Sequence, residues 1–302
     1  MHKQLRIGKL MDSKPKILIT GANGQLGKEL QEIASSEPGF HFIFLSKEDL
    51  PVQELDAIKK AFGKFKPNYL VNCAAYTAVD KAEEEEELAF RINGTAAGLL
   101  AIASDHHKCQ FIHISTDYVF DGNATTPYNE DAVTNPQGVY GASKLEGEKL
   151  VMQNAPGSII IRTSWLYSEY GKNFVKTMLR LMKEKKEISV VNDQVGSPTY
   201  AADLAAAIVQ IIGNRQWAMG NRHSGIYHFS NKGVISWYDF AVAIKEITGS
   251  ICDIHPIPTS SYPTAAKRPA YSVLDTAKIQ NTFGIQVKEW KERLRVCLKR
   301  LE

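Results

Sequence analysis

Among its 302 residues the chain has no apolar run near the roughly 18 that a membrane-spanning helix needs, so no membrane partner is expected. Charge of one sign is also missing. The net value of +3 is too small over this length to draw in nucleic acid or a membrane surface. Cysteine is scarce: Cys73, Cys109, Cys252 and Cys297 lie far apart, with no Cys-x-x-Cys pair. That argues against a disulfide framework or a zinc site and fits incidental thiols in a reducing cytoplasm. The eight histidines form no ligand pattern, since His106 and His107 are neighbours that point to different sides of a helix, and no metal is expected. There is no internal repeat. The one low-complexity tract, five glutamates at 83–87, repels itself and reads as a solvated helix face. The first 13 residues are basic without an apolar stretch, which reads as a disordered extension and not as a secretory signal.

What is present is an alternation of short apolar runs and helical stretches. Strands are expected at 16–20, 40–45, 69–73, 111–115 and 158–161. Helices are expected at 25–34, at 82–104 and from just after Asn135-Pro136 to about 153. Strands that alternate with helices imply an α/β fold, a Rossmann-type doubly wound parallel sheet covered on both faces. The second half is less regular. It offers helices at 171–185, 201–212 and 288–301, strands at 188–191 and 225–230, a helix capped by Ser236, and a proline-containing loop at 257–269. The expected division is a dinucleotide-binding domain at 14–165, to which 188–213 returns, and a smaller C-terminal α/β substrate lobe at 166–187 and 214–302.

Three motifs carry chemistry. The first is Gly21-Ala22-Asn23-Gly24-Gln25-Leu26-Gly27, directly after a strand and opening a helix. Gly21 permits the tight turn, Gly24 lets the backbone approach a pyrophosphate at the helix N-terminus, and Gly27 allows close helix–strand packing. The second is Ser115-Thr116-Asp117 at the end of the fourth strand, where a hydroxyl can bond a substrate oxygen. The third is Tyr140-Gly141-Ala142-Ser143-Lys144. Four residues is one helical turn, so the Lys144 ammonium is expected beside the Tyr140 phenol, lowering its pKa and readying it to pass a proton to a carbonyl oxygen. Together these indicate a nicotinamide-dependent carbonyl reductase of the short-chain type. Small residues at Asn72-Cys73-Ala74-Ala75-Tyr76-Thr77 would let the cofactor lie against the sheet edge. At the end of the second strand Ser46 and Lys47 stand where a carboxylate would face a ribose 2′-hydroxyl, which favours NADPH and keeps NADH as an alternative. Lys47 reads equally well as a plain surface lysine. Asp49 and Leu50 lie where such folds meet the adenine.

The strings 72–83, 115–122 and 139–145, with Arg162-Thr163-Ser164-Trp165-Leu166-Tyr167, residues 192–199 and Arg268-Pro269, resemble the signature blocks of the dTDP-4-dehydrorhamnose reductases, extended short-chain dehydrogenase/reductases. The resemblance spans nearly the whole chain. It implies reduction of dTDP-4-dehydro-β-L-rhamnose at C4 by NADPH or NADH. In it Tyr140 is the proton donor, Thr116 its aide and Lys144 its tuner and a ribose ligand. Gly24 to Leu26 and Ala75 to Thr77 hold the dinucleotide, and Trp165 meets the substrate. Asp117 is taken as a substrate neighbour, and Arg268, whose planar donors suit a diphosphate, as its anchor. Ser46 in place of an acid found in some members, and Cys73 in place of a usual alanine, are the departures. Neither the metal nor the dimer of some members can be placed on residues here, so a homodimer stays open. Two alternatives remain: a reductase of another nucleotide-activated 4-keto-6-deoxysugar, and a non-catalytic regulatory subunit of the methionine adenosyltransferase type.

Overall fold

The structure is a computed structural model that describes residues 14–214 and 223–302. The extension expected at 1–13 lies outside the described residues, as does part of the expected lobe at 215–222. The chain begins with β1 (Lys16–Thr20), α1 (Gln25–Ala34), β2 (His41–Leu45), α2 (Leu55–Phe65) and β3 (Tyr69–Asn72). A helical run follows as α3 (Val79–Ala82), α4 (Glu86–Phe90), a π-turn over Arg91–Thr95 and α5 (Ala96–His106). Then come β4 (Gln110–Thr116), α6 (Val139–Asn154), β5 (Ile159–Thr163), β6 (Leu166–Tyr167), α7 (Phe174–Glu184), β7 (Glu187–Val191), β8 (Val195–Gly196), β9 (Thr199–Tyr200) and α8 (Ala201–Ile212). The remainder is β10 (Gly225–Phe229), β11 (Ile235–Ser236), α9 (Trp237–Thr248), β12 (Asp253–Ile257), α10 (Ala277–Phe283) and α11 (Trp290–Leu301).

Six strands form one parallel sheet in the order β10-β5-β4-β3-β1-β2. The inner strands β1, β3, β4 and β5 are buried on both sides, so successive residues feed different cores. Ile17 and Ile19 pack with Leu26, Leu30, Leu204 and Ile208 under α1 and α8. Leu18 turns the other way and packs with Ile58, Phe62, Leu100 and Val151 under α2, α5 and α6. The chain leaves β1 toward β2 on one side and β3 on the other, so the strand order reverses between β1 and β3. Their carboxyl ends form the crevice where open α/β sheets take ligands.

The second half builds its own core of Tyr167, Val175, Met178, Tyr200, Phe240, Leu294 and Leu298. Ser236 caps α9 as expected and does so in a capping box with Asp239. Two boundaries differ from the expected division. Glu187–Val191 does not return to the main sheet but pairs with Asp253–Ile257 in a separate two-stranded sheet. The sixth main strand is instead Gly225–Phe229, from the stretch assigned to the lobe; it covers the edge that β5 would otherwise expose. Ile279 and Phe283 of α10 also pack into the main-sheet core. The strand at 253–257 contains Pro256, which hides it from a propensity reading; an edge position in a two-stranded sheet tolerates the missing N–H. Helix α2 and helix α10 are likewise additions to the expected pattern. Among the described residues no helix is long and apolar enough to cross a membrane, and no cluster of three or more His, Cys, Asp or Glu could hold a metal ion.

Helix α6 is tied to the sheet by an ion pair. Glu148 receives Nε and a terminal nitrogen of Arg162 at 2.9 and 2.7 Å, plus the Ser115 hydroxyl at 2.5 Å, all buried. Breaking a buried pair from one side strands the other charge, so Glu148→Ala should lower stability by about 3–5 kcal/mol. Urea unfolding checks this; a loss under 1 kcal/mol would show the pair to be incidental.

Candidate active site

The glycine loop sits at the switch point. Gly21 has φ +65°, and a Cβ there would stand 2.7 Å from the backbone of Cys73 and Ala74, so only glycine fits between the ends of β1 and β3. Gly24 is the N-cap of α1 and offers no side-chain cap, which leaves the first-turn N–H groups for an anion. Asn23 and Gly24 are exposed at this point and Gln25 is half-buried. Leu26 is not open to a ligand: its side chain is core, so it can offer only backbone. Gln25 reaches the second half of the chain, where its side-chain oxygen accepts from Asn173 at 2.9 Å.

Further along the sheet edge, the Tyr76 N–H donates to the Asn93 side-chain oxygen at 2.8 Å, and its hydroxyl donates to Glu85. Ala74 and Ala75 are half-buried and Thr77 is exposed. At the end of β2 the structure adds a feature that the sequence reading lacks. Asp49 folds back so that its carboxylate accepts from the Ser46 N–H at 3.0 Å, while Ser46 Oγ accepts from the Asp49 N–H at 3.3 Å. A carboxylate therefore does stand at this strand end, and those bonds hold its pKa below the usual range. Lys47 is exposed. Leu50, expected near the adenine, is buried in the core beside Leu45 and Val52.

Tyr140 opens α6 next to the end of β4. Gly141 makes this approach possible, because a Cβ there would lie 2.1 Å from the Tyr118 carbonyl oxygen. The Tyr118 and Tyr140 rings meet edge to face at 5.4 Å. The Thr116 hydroxyl is within hydrogen-bonding reach of the Tyr140 phenol and favours its anion, as the sequence expects. The expected effect of Lys144 is corrected. Burial dominates and raises the Tyr140 pKa, with the Asp117 and Tyr118 charges adding to the rise. Lys144 does not offset this because its Nζ is turned toward the sheet, donating to the Ile114 carbonyl at 2.5 Å beside His113 Nε2 at 3.4 Å. Burial lowers the Lys144 pKa to about 8.

The expected substrate residues divide. Asp117 is buried behind Thr116, whose hydroxyl donates to it at 3.0 Å. Trp165 has φ +48°, an uncommon conformation for a residue with a Cβ. Its ring stacks on Trp237 of α9 at 3.5 Å, so one face of the indole is covered by that ring, and Trp165 remains half-buried. Arg268 comes back from the C-terminal segment to the site. It pairs with Asp80 at 2.5 Å and lies 3.4 Å from the Tyr118 hydroxyl. Asp80 and Tyr118 fall inside the strings 72–83 and 115–122 without a role read for them, and Asn93 carries no sequence signal of its own. Only their partners in space mark them.

A family model, the RmlD substrate binding domain, matches residues 15–302. The chain belongs to this family. A dTDP-4-dehydrorhamnose reductase of Aggregatibacter actinomycetemcomitans is 43% identical over 287 residues, which is 93% of this chain and 97% of that protein. The solved structure of a dTDP-4-dehydrorhamnose reductase from Clostridium acetobutylicum is similar with a TM-score of 0.90 at 44% identity, covering 95% of this chain and 99% of that one. Another, from Bacillus anthracis and in complex with NADP, has a TM-score of 0.89 at 40% identity, covering 95% and 99%.

Burial pushes the Asp117 carboxyl up to about 7, against hydrogen bonds from Thr116 and Ser272 that favour its charge. The folded pKa lies above the unfolded one, so folding favours the protonated acid, and stability falls as pH rises from about 4 to 7. Asp117→Asn removes that dependence. Its stability relative to the parent should rise between pH 4 and pH 8 in thermal melts; a pH-independent difference would mean that Asp117 is charged throughout.

Proposed function

We propose that the chain catalyses NADPH-dependent reduction of the C4 keto group of dTDP-4-dehydro-β-L-rhamnose to give dTDP-L-rhamnose. The observation that carries this is the gathering of the Gly21 loop, Thr116 and Tyr140 at one end of a doubly wound sheet, in a chain that matches dTDP-4-dehydrorhamnose reductases along almost its whole length. The residues fit a dinucleotide. The Gly21 turn is closed to any side chain, and the uncapped start of α1 faces the switch point. When bound, NADPH supplies the hydride that reduces the carbonyl carbon.

The chain's own residues do the rest. Tyr140 holds the proton that the carbonyl oxygen takes up, and its raised pKa keeps that proton in place until charge develops on the oxygen. Thr116 steadies the phenolate left behind. Lys144 is assigned to the ribose of the nicotinamide. Arg268 is assigned to the diphosphate, for which its guanidinium would exchange Asp80 for phosphate oxygens. Ser46 and Lys47 are assigned to the 2′-phosphate side of the adenosine. A regulatory subunit would have no use for a phenol and a hydroxyl held together at such an edge, and the named relatives are reductases. A cytoplasmic location is assigned as well, supported by the half-buried or buried free thiols.

The test is oxidation of NADPH by the purified protein with dTDP-4-dehydro-L-rhamnose, set against the corresponding GDP-sugar. Turnover of the GDP-sugar alone would sink the assignment. In the same assay Tyr140→Phe should lower kcat by roughly 10²–10⁴, the usual worth of a general acid, while NADPH still binds. A second variant probes the sugar end: Arg268→Ala should raise KM for the sugar nucleotide by about tenfold, the scale of a charge-assisted hydrogen bond, with the Kd for NADPH unchanged.

A further inference from the structure

One row of polar side chains crosses the interior of the sheet without a part in the reaction described above. Thr20, Asn72 and His113 are register neighbours on β1, β3 and β4. They follow the apolar row Leu18, Leu70 and Phe111 on the same face, under α6, and all three are buried. A run of three polar groups inside a parallel sheet is costly unless every hydrogen bond is made. Here the bonds form a directed chain. The Thr20 hydroxyl donates to Asn72 Oδ1 at 2.6 Å, and the Ala74 N–H points at the same oxygen at 3.2 Å. With its oxygen so engaged, Asn72 turns its amide nitrogen to His113 Nδ1, 3.0 Å away.

The donors settle the tautomer of His113, a deduction from the network and not from a seen hydrogen. Nδ1 accepts from Asn72, and burial holds the imidazole neutral, so the ring proton is on Nε2. Nε2 faces Lys144 Nζ at 3.4 Å. An N–H opposite an ammonium sets two donors against each other, whereas an N–H opposite an amine lone pair does not. The other groups around Lys144 are the Cys73 thiol from β3, and Tyr140 and Glu148 on its own helix, one turn to either side. Glu148 is engaged by Arg162 of β5 and by Ser115 of β4, and Cys73 is held protonated by burial. Apart from the Ile114 carbonyl, which accepts from Nζ at 2.5 Å, the direction open to a charged Lys144 is along the helix face toward Tyr140.

We propose that His113 is a positioning residue whose Nε2–H favours the uncharged amine of Lys144 against the sheet, so that uptake of a proton turns Lys144 away from His113 and toward Tyr140. Nothing is oxidised or reduced in this step; one proton is added to Nζ and the contact with Nε2–H is given up. The proposal rests on the reading of Tyr140 and Lys144 as one catalytic unit, and it deepens that reading by supplying what the helix spacing alone does not, a reason for Lys144 to change its direction. The Thr20 end of the row adjoins Gly21, and Ala74 lies on the cofactor side of β3, so the same hydrogen bonds that set the His113 tautomer also join the dinucleotide loop to Lys144.

The experiment follows the Lys144 Cε signal by NMR in the full chain labelled with ¹³C-lysine, assigned by its loss in Lys144→Met, and titrates it without substrate. A donor on His113 favours the neutral amine, so its removal must raise the Lys144 midpoint. His113→Asn keeps an acceptor for Asn72 but has nothing at the Nε2 position, and it should move the midpoint up by about one pH unit, a tenfold change. His113→Gln restores a donor near that position and should bring the midpoint back toward the parent value. An unmoved midpoint in His113→Asn, or the same shift in both variants, overturns the proposal. If His113→Asn does not fold, the parent protein decides: a Lys144 midpoint near the ordinary lysine value of about 10.4 would equally overturn it. Turnover of the sugar nucleotide is recorded separately, so a failed function assignment and a failed role for His113 give different results.

Discussion

Helix α6 carries a carboxylate into the interior of the protein, and the site depends on how that charge is met. Glu148 lies two turns beyond Tyr140 on the same face, with Lys144 between them. Arg162 on β5 grips Glu148 with two nitrogens, and Ser115 on β4 adds a hydroxyl. These bonds have direction, which apolar packing does not, so they set the rotation and the axial position of α6 against the sheet. Tyr140 is thereby brought to Thr116 and Tyr118, and Lys144 to Ile114 and His113. Close approach elsewhere follows from the same placement: Gly141 sits against the Tyr118 carbonyl and Gly147 against that of Asn93.

The division of labour between the halves of the chain also comes from packing. The main sheet holds the cofactor loop and the Tyr140 helix, while the second core, around Tyr167, Tyr200 and Phe240, carries the Trp165–Trp237 stack. Contacts cross between them, among them Gln25 with Asn173, and Arg268 with Asp80 and Tyr118. Arg268 is the cation of the C-terminal segment that comes within reach of the Tyr140 neighbourhood through Tyr118. Its partner Asp80 lies on α3, shortly after the small residues that follow β3.

Much of this was legible in the residues. Runs of Ile, Leu and Val broken by glycine mark the parallel strands. The glycine spacing after 16–20 marks the loop, and the Tyr–Lys pair marks the helix that faces it. Helix α1 and helix α8 have the bounds their apolar spacing predicts, because both bury one face on a sheet. Where the reading fell short, long-range contacts decide. The strand at 253–257 exists only because β7 is there to pair with it, and β10 joins the main sheet because β5 would otherwise present an open edge. His113 reads as a stray polar residue in an apolar strand until Asn72 and Lys144 stand on either side of it.

By itself, then, the sequence determined the alternation of strand and helix, the place of the glycine loop and the helix that carries Tyr140 and Lys144 one turn apart, because each rests on residues close together in the chain and on local geometry. Only the tertiary structure decided which way Lys144 turns, which ring covers Trp165 and which acid holds Arg268. The tuning of Tyr140 belongs with these. Helical spacing places a cation within reach, but burial and competing partners govern where its charge goes, and those are properties of the packed interior.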